Sequence, residues 1–219
     1  MLVLILTTLA TYSMRAQENA IIYVGDPMCS WCYGFAPELD KVKAAFPNTH
    51  FEMIMGGLRA HGTETMGDLK DFLKEHWMEI AQLTAQPFKY DILDQSELVY
   101  DTEPACRAVM VVGQLKPESM YEYFKAVQRS FYAQNRLPQA DTYAQLATQF
   151  GIAASDFMEA FDSDDSKDAI DEAFNRAEIL GVRGFPTLMA RIDGNMYMIS
   201  NGFLKADKII KLLKDLGMN

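Results

Sequence analysis

The stretch AIIYVGDPMCSWCYGF, residues 20–35, carries two of the three cysteines, Cys29 and Cys32, with Ser30 and Trp31 between them. Ahead of the pair, AIIYV is a short apolar, β-branched run stopped by Gly25 and Pro27, which predicts a buried strand. Behind it, Leu39, Val42 and Phe46 recur at helical spacing between Lys and Asp, so the helix read over Pro37 to Phe46 leaves Cys32 in or beside its first turn. HFEMIMGG, residues 50–57, alternates as a second strand and stops at Gly56-Gly57. The order is strand, cysteine pair, helix, strand.

Such a pair can hold a metal, staple a loop or exchange disulfides. Zinc needs four ligands, and the other candidates, Cys106, His50, His61 and His76, stand at no familiar spacing. A disulfide closing so short a loop removes little entropy from the unfolded chain, so a purely structural role is weak. Position favours redox chemistry. A thiol between a strand and a helix start meets unpaired N–H groups and the positive end of the helix dipole, which favour thiolate. Cys29 is then the exposed nucleophile and Cys32 the thiol that resolves the mixed disulfide.

Outward from this unit the chain turns helical. Met66, Leu69, Leu73, Trp77 and Ile80 form one stripe, Thr102 to Leu115 a second helix, and Met120, Phe124, Val127 and Phe131 another stripe. Tyr143–Phe150 and Asp156–Phe161 suggest two short helices, and Ile170, Ala173, Phe174, Ala177 and Leu180 a longer one. The acidic run Asp162–Asp168 reads as the start of that helix rather than a calcium loop. FPTLMARI then predicts a strand, Asp193-Gly194-Asn195 a hairpin turn and MYMIS its partner, with Ile209, Ile210, Leu212, Leu213 and Leu216 as the apolar face of a closing helix. The fold class is therefore α/β. Residues 20–61 and 177–219 form one small unit, and 62–176 are an all-helical insertion.

The length of 219 residues suffices for a core without disulfides, and 49% hydrophobic with 23% charged residues is a globular balance. The formal charge of -10 argues against a nucleic-acid partner, since phosphate binding needs clustered Lys and Arg. In residues 1–19 the apolar run Leu2–Leu9 suggests a secretory signal, although a positive start is missing. It is shorter than the roughly 20 residues that span a bilayer. Export to the periplasm is the favoured location, the cytoplasm the alternative, and no membrane insertion of the mature chain is expected.

A second element, GVRGFPT, residues 181–187, leads into the late strand, and composition leaves the Phe185-Pro186 bond open between cis and trans. Four ordered segments, Asp26–Phe35, Met55–Arg59, Thr102–Val109 and Gly184–Thr187, together resemble the thioredoxin superfamily, and within it the DsbA-like, FrnE-like bacterial proteins regarded as protein-disulfide isomerases. The resemblance implies a thioredoxin fold with a large helical insertion and a thiol-disulfide oxidoreductase. It assigns Cys29 and Cys32 to catalysis, with Pro186 as the cis-proline facing them. Phe185 and Thr187 would hold a substrate strand by β-addition, and Trp31 and Tyr33 would add apolar contact. Protein or peptide thiols and disulfides would be the substrates, with an unidentified redox partner, no metal and no cofactor beyond the Cys29/Cys32 disulfide.

The chain departs from that pattern in two places. Ser30-Trp31 lacks the His that helps make DsbA proteins strong oxidants, and Tyr23 stands where a buried acid is often found six residues before the first Cys, with Asp26 closer in sequence. Cys106, behind Pro104 at a helix start, reads as a buried inert thiol, with a place near the pair as the alternative. Arg59 and Arg107 read as surface partners of acids. Two other functions stay open: a glutathione-dependent isomerase or transferase of related fold, against which Cys32 argues, and a chaperone-like polypeptide-binding module.

Overall fold

The computed structural model describes residues 18–219, so the signal-like stretch at the N-terminus lies outside the described residues. Four strands, β1 (Ala20–Gly25), β2 (His50–Met55), β3 (Thr187–Ile192) and β4 (Asn195–Asn201), form one sheet in the order β2-β1-β3-β4. β1 runs parallel to β2 and antiparallel to β3, which pairs antiparallel with β4. The β3–β4 turn is Asp193-Gly194, both with positive φ (50° and 79°), the conformation that a two-residue hairpin with the right twist requires.

Among the described residues eight α-helices accompany the sheet: α1 (Ser30–Ala45), α2 (Met66–Thr84), α3 (Glu103–Leu115), α4 (Met120–Tyr132), α5 (Ala140–Thr148), α6 (Ala154–Asp162), α7 (Asp164–Ile179) and α8 (Ala206–Asp215). This is the DsbA-like thioredoxin fold expected from the sequence, with α2 to α7 between β2 and β3. One sheet face, Ala20, Ile22, Val24, Ile54 and Met189, packs with Ala177 of α7. The other, including Ile21, Tyr23, Met55, Leu188 and Ala190, joins the main core. The split at 176/177 that we propose falls inside α7, whose Arg176 pairs with Glu52 of β2.

Two expectations are corrected. The first helix begins seven residues earlier, at Ser30, and continues through Pro37. Proline has no N–H for the Tyr33 carbonyl, a defect that normally breaks a helix. Here Gln86 Nε2, from the segment after α2, donates to that carbonyl at 2.9 Å. On α8, Ile209 and Leu213 are buried but Leu212 is exposed, because the buried stripe follows Ala206, Ile209 and Leu213 and leaves Leu212 on the solvent flank. The acidic run does open a helix: Ser163 Oγ accepts from the Ser166 N–H at 3.2 Å, and Asp164 and Asp165 lie in the first turn of α7.

Candidate active site

The register Gly25↔Met55 and Val24↔Thr187 brings three loops to one end of the sheet: the cysteine loop after β1, Gly56-Gly57 after β2, and the proline loop before β3. Cys29 is the N-cap of α1. Its N–H donates to Asp26 O at 3.1 Å, its carbonyl accepts from the Tyr33 N–H at 3.0 Å, and its Sγ accepts from the Cys32 N–H at 3.4 Å. A sulfur takes the place usually held by a Ser or Asp oxygen at a helix start, so a thiolate there would meet an unpaired backbone donor and the helix dipole. Both sulfurs are free thiols; Cys29, expected to be exposed, is buried at 4% exposure because the Phe185 carbonyl of the proline loop lies across it, and Cys32 is at 0%. Burial pushes the Cys32 thiol well above its ordinary range, and the adjoining Cys29 sulfur pushes the same way, while the Tyr23 phenol opposes them. The Tyr23 ring passes over Gly25, filling the space a Cβ would need there. Burial keeps this phenol protonated far above neutral pH, so it can donate to the Cys32 sulfur and is no base.

The Phe185-Pro186 bond is cis, as the resemblance implied. The Cys29 thiol donates to Phe185 O at 3.7 Å, a long contact that nonetheless fixes the loop directly across from the nucleophile. The Phe185 ring lies where Gly56 would carry a Cβ, so Gly56 is needed for close approach of the two loops. Pro186 O accepts from the Gly202 N–H at 2.7 Å. Thr187 is buried and paired on both sides, with Val24 and Asn201, and its hydroxyl donates to Gly184 O at 2.7 Å. The Phe185 N–H has no partner among the described residues.

The other two expected contact residues also divide. Trp31 is half-buried against Phe203, 6.1 Å between centroids. Tyr33 turns inward, stacked on Tyr132 at 5.0 Å and donating to Pro87 O at 3.0 Å. Thus Trp31 and Phe185 flank Cys29 with surface to offer, whereas Tyr33 and Thr187 hold the frame.

Asp26 is a residue whose partners the sequence did not disclose. It is fully buried, with Oδ1 accepting from the Met28 N–H and Oδ2 from the Leu58 N–H, both at 2.7 Å. Burial raises its carboxyl, against the pull of Thr102, Leu58, Met28 and the Cys106 thiol. Thr102 Oγ1 also accepts from the Arg59 N–H at 3.1 Å. Three of the four sequence segments therefore meet at one carboxyl, and that carboxyl faces Cys106 rather than Cys32. Burial and Asp26 together push the Cys106 thiol well up, which makes it inert. Tyr100 and Tyr132 both donate to Met28 O, the latter at 2.5 Å, which fixes the residue before the nucleophile. The arginines stand away from the sulfurs: Arg59 pairs with Glu64, and Arg107, more buried than its surface assignment allowed, pairs with Glu103 and donates to Phe161 O. Among the described residues no group of His, Cys, Asp and Glu is arranged to hold a metal ion, and no helix is long and apolar enough to cross a membrane.

The profile of the DSBA-like thioredoxin domain matches residues 20–214. No curated protein sequence matches the chain. Among solved structures it is similar to a Nitrosomonas europaea protein provisionally named a protein disulfide isomerase, at 31% identity and TM-score 0.83, covering 91% of this chain and 97% of the other. It is also similar to the cytosolic disulfide reductase DsbM of Pseudomonas aeruginosa, at 26% identity and TM-score 0.75, covering 90% and 97%. A 2-hydroxychromene-2-carboxylate isomerase shares the fold, at 16% identity and TM-score 0.60 over 90% and 94%. The chain belongs to the DSBA-like thioredoxin domain family and is a thiol-disulfide oxidoreductase of that family.

Proposed function

We propose that the chain exchanges disulfides with protein or peptide thiols through Cys29 and Cys32. The observation that carries the proposal is the meeting, at one end of the sheet, of the Cys29 sulfur with the Cys32 N–H and the Phe185 carbonyl. In the reducing direction the Cys29 thiolate attacks a substrate disulfide, forming a mixed disulfide and releasing one substrate thiolate, which takes a proton from water. Cys32, once deprotonated, attacks the Cys29 sulfur, releases the second substrate thiolate and leaves the pair oxidised. Oxidation of a substrate dithiol runs through the same steps in reverse. A redox partner returns the pair to its starting state, and no metal or organic cofactor enters the balance.

The free Phe185 N–H, beside a carbonyl that reaches Cys29, suits an extended substrate strand added to the Phe185–Pro186 loop, with Trp31 offering apolar surface. Pro186 keeps that loop in place, and Thr187 supports it from within the sheet. The burial of Cys32 suits a thiol that reacts only inside the mixed disulfide.

Equilibration in a series of glutathione buffers, with free thiols counted by alkylation and mass spectrometry, tests the proposal. A reversible two-electron transition at Cys29/Cys32 is expected, lost in Cys29→Ser together with all exchange activity; a Cys29→Ser variant that still exchanges disulfides overturns it. For location we propose export, from the Leu2–Leu9 stretch. A shortened chain in the periplasmic fraction is the expected result, and a full-length chain confined to the cytosol refutes it.

A further inference from the structure

Phe174 of α7 is a half-buried ring on a stretch whose other outward side chains, Asp171, Glu172, Arg176 and Glu178, are charged. The ring edge lies 2.8 Å from where Gly57 would carry a Cβ, and Gly57 has a φ of 62°, so close approach and backbone both call for glycine there. The next residue, Leu58, is 41% exposed while its N–H is held by Asp26. One turn before Phe174, Asp171 Oδ1 meets His61 Nε2 at 3.3 Å, so the loop after β2 lies along α7 at two points. The same loop belongs to the active-site end, since the Gly56 N–H donates to Gly25 O at 2.9 Å and the Phe185 ring covers Gly56. Neither the Phe174 nor the Leu58 side chain is used by the frame around Asp26 or by the thiol chemistry.

Strand order sets these two side chains on one flank of Cys29 and Trp31 on the other. Phe174 and Leu58 stand on the β2 side, whereas Trp31 packs on Phe203, which follows β4. Residues 180–186 leave α7, which lies over β2 through Ala177 and the Arg176–Glu52 pair, and end at the start of β3. An extended chain paired with Phe185 therefore lies across the strand ends rather than along them. The two flanks are three strand spacings apart, about 14 Å. Side chains alternate along an extended chain, so the residues sharing a cysteine's face stand two before and two after it, about 13 Å apart. We propose that Phe174 and Leu58 form a specificity site for an apolar side chain two residues from the substrate cysteine, with Trp31 taking its counterpart on the other side. The substrate class is an extended segment of the pattern apolar-x-Cys-x-apolar, of the kind that an incompletely folded protein exposes. This inference rests on the disulfide-exchange reading and supplies the sequence preference of that reaction.

The test uses the reduced full chain and the symmetric disulfide dimers of two capped pentapeptides, Leu-Ser-Cys-Ser-Leu and Ser-Ser-Cys-Ser-Ser. Each turnover breaks one peptide disulfide, releases two peptide thiols and leaves Cys29 and Cys32 joined, and the second-order rate constant is read by alkylation and mass spectrometry. The leucine peptide should react at least about tenfold faster than the serine peptide. Phe174→Ser and Leu58→Ser should each cut that ratio at least about threefold, and Phe174→Leu should retain most of it. A ratio compares two substrates on one protein, so a general loss of stability or thiol reactivity cancels. Leu58 is exposed, and its variant tests the site even if Phe174→Ser unfolds. Equal rates for the two peptides, or a ratio that survives either serine variant in its folded form, overturns the site and leaves the redox reading intact. A parent protein that reduces neither peptide sinks the redox reading and the site with it.

Discussion

Asp26 and Gln128 are both fully buried polar side chains beside α1, one at its N-terminal end and one on its flank. Asp26 accepts from two backbone N–H groups and faces a hydroxyl and a thiol; Gln128 meets nothing. The difference separates two kinds of buried polarity. A fully paired group ties chain segments together, and removing it strands its partners. An unpaired one loses its hydration without return and costs the folded chain stability.

The sharpest way to break this contrast is Asp26→Asn. One of the two backbone donors would then face an N–H instead of an oxygen, and we expect a loss of about 3 kcal/mol in urea unfolding, with slower exchange because Met28 and Cys29 are released. A loss under about 0.5 kcal/mol, the range of ordinary surface changes, would mean that Asp26 ties nothing together.

Next in size is Gly56→Ala. The new methyl group collides with the Phe185 ring, and overpacking of this kind costs about 2 kcal/mol. Exchange should slow more than in Asp26→Asn for the same loss of stability, since Phe185 carries the carbonyl opposite Cys29. Unchanged kinetics would show that the two loops need not touch.

Gln128→Leu should carry the opposite sign. Replacing an unpaired buried amide with an apolar side chain of similar size is expected to raise stability by about 1 kcal/mol or leave it unchanged. Destabilisation of that size would show that the amide is already paired, most simply with water, and the contrast with Asp26 would fail.

The smallest effect is one of pH. Burial raises the Asp26 carboxyl in the folded state, so the folded chain holds its proton to higher pH than the unfolded chain does. The stability this adds is complete below the unfolded value near about 3.9 and is lost as pH rises through the folded one. The gap in stability between parent and Asp26→Asn should therefore narrow across that interval. A gap that widens with pH would mean a carboxyl lowered, not raised.

Much of the site was legible because its parts are local. The apolar run before Cys29, the Cys-x-x-Cys spacing and Phe185-Pro186 each reside in a few consecutive residues, and together they led to the fold and the facing loops. Tyr33 and Thr187 were read as substrate contacts because sequence adjacency to Cys32 and Pro186 does not say which way a side chain turns. Tyr33 turns inward onto Tyr132, and the Thr187 hydroxyl turns back to Gly184 O. Asp26 was noticed for its position, but its partners Leu58, Thr102 and Cys106 arrive from other segments.

The sequence by itself determined the strands from their apolar runs, the Asp193-Gly194 turn from its residue types, and the place of the cysteine pair between a strand and a helix, because backbone geometry and periodicity act over a few residues. Only the tertiary structure decided that α1 runs through Pro37, since the donor that rescues the Tyr33 carbonyl is Gln86. It also decided that Gly56 serves Phe185 and that Asp26 faces Cys106 and not Cys32. These are contacts between residues far apart in the chain, made by packing that no local pattern encodes.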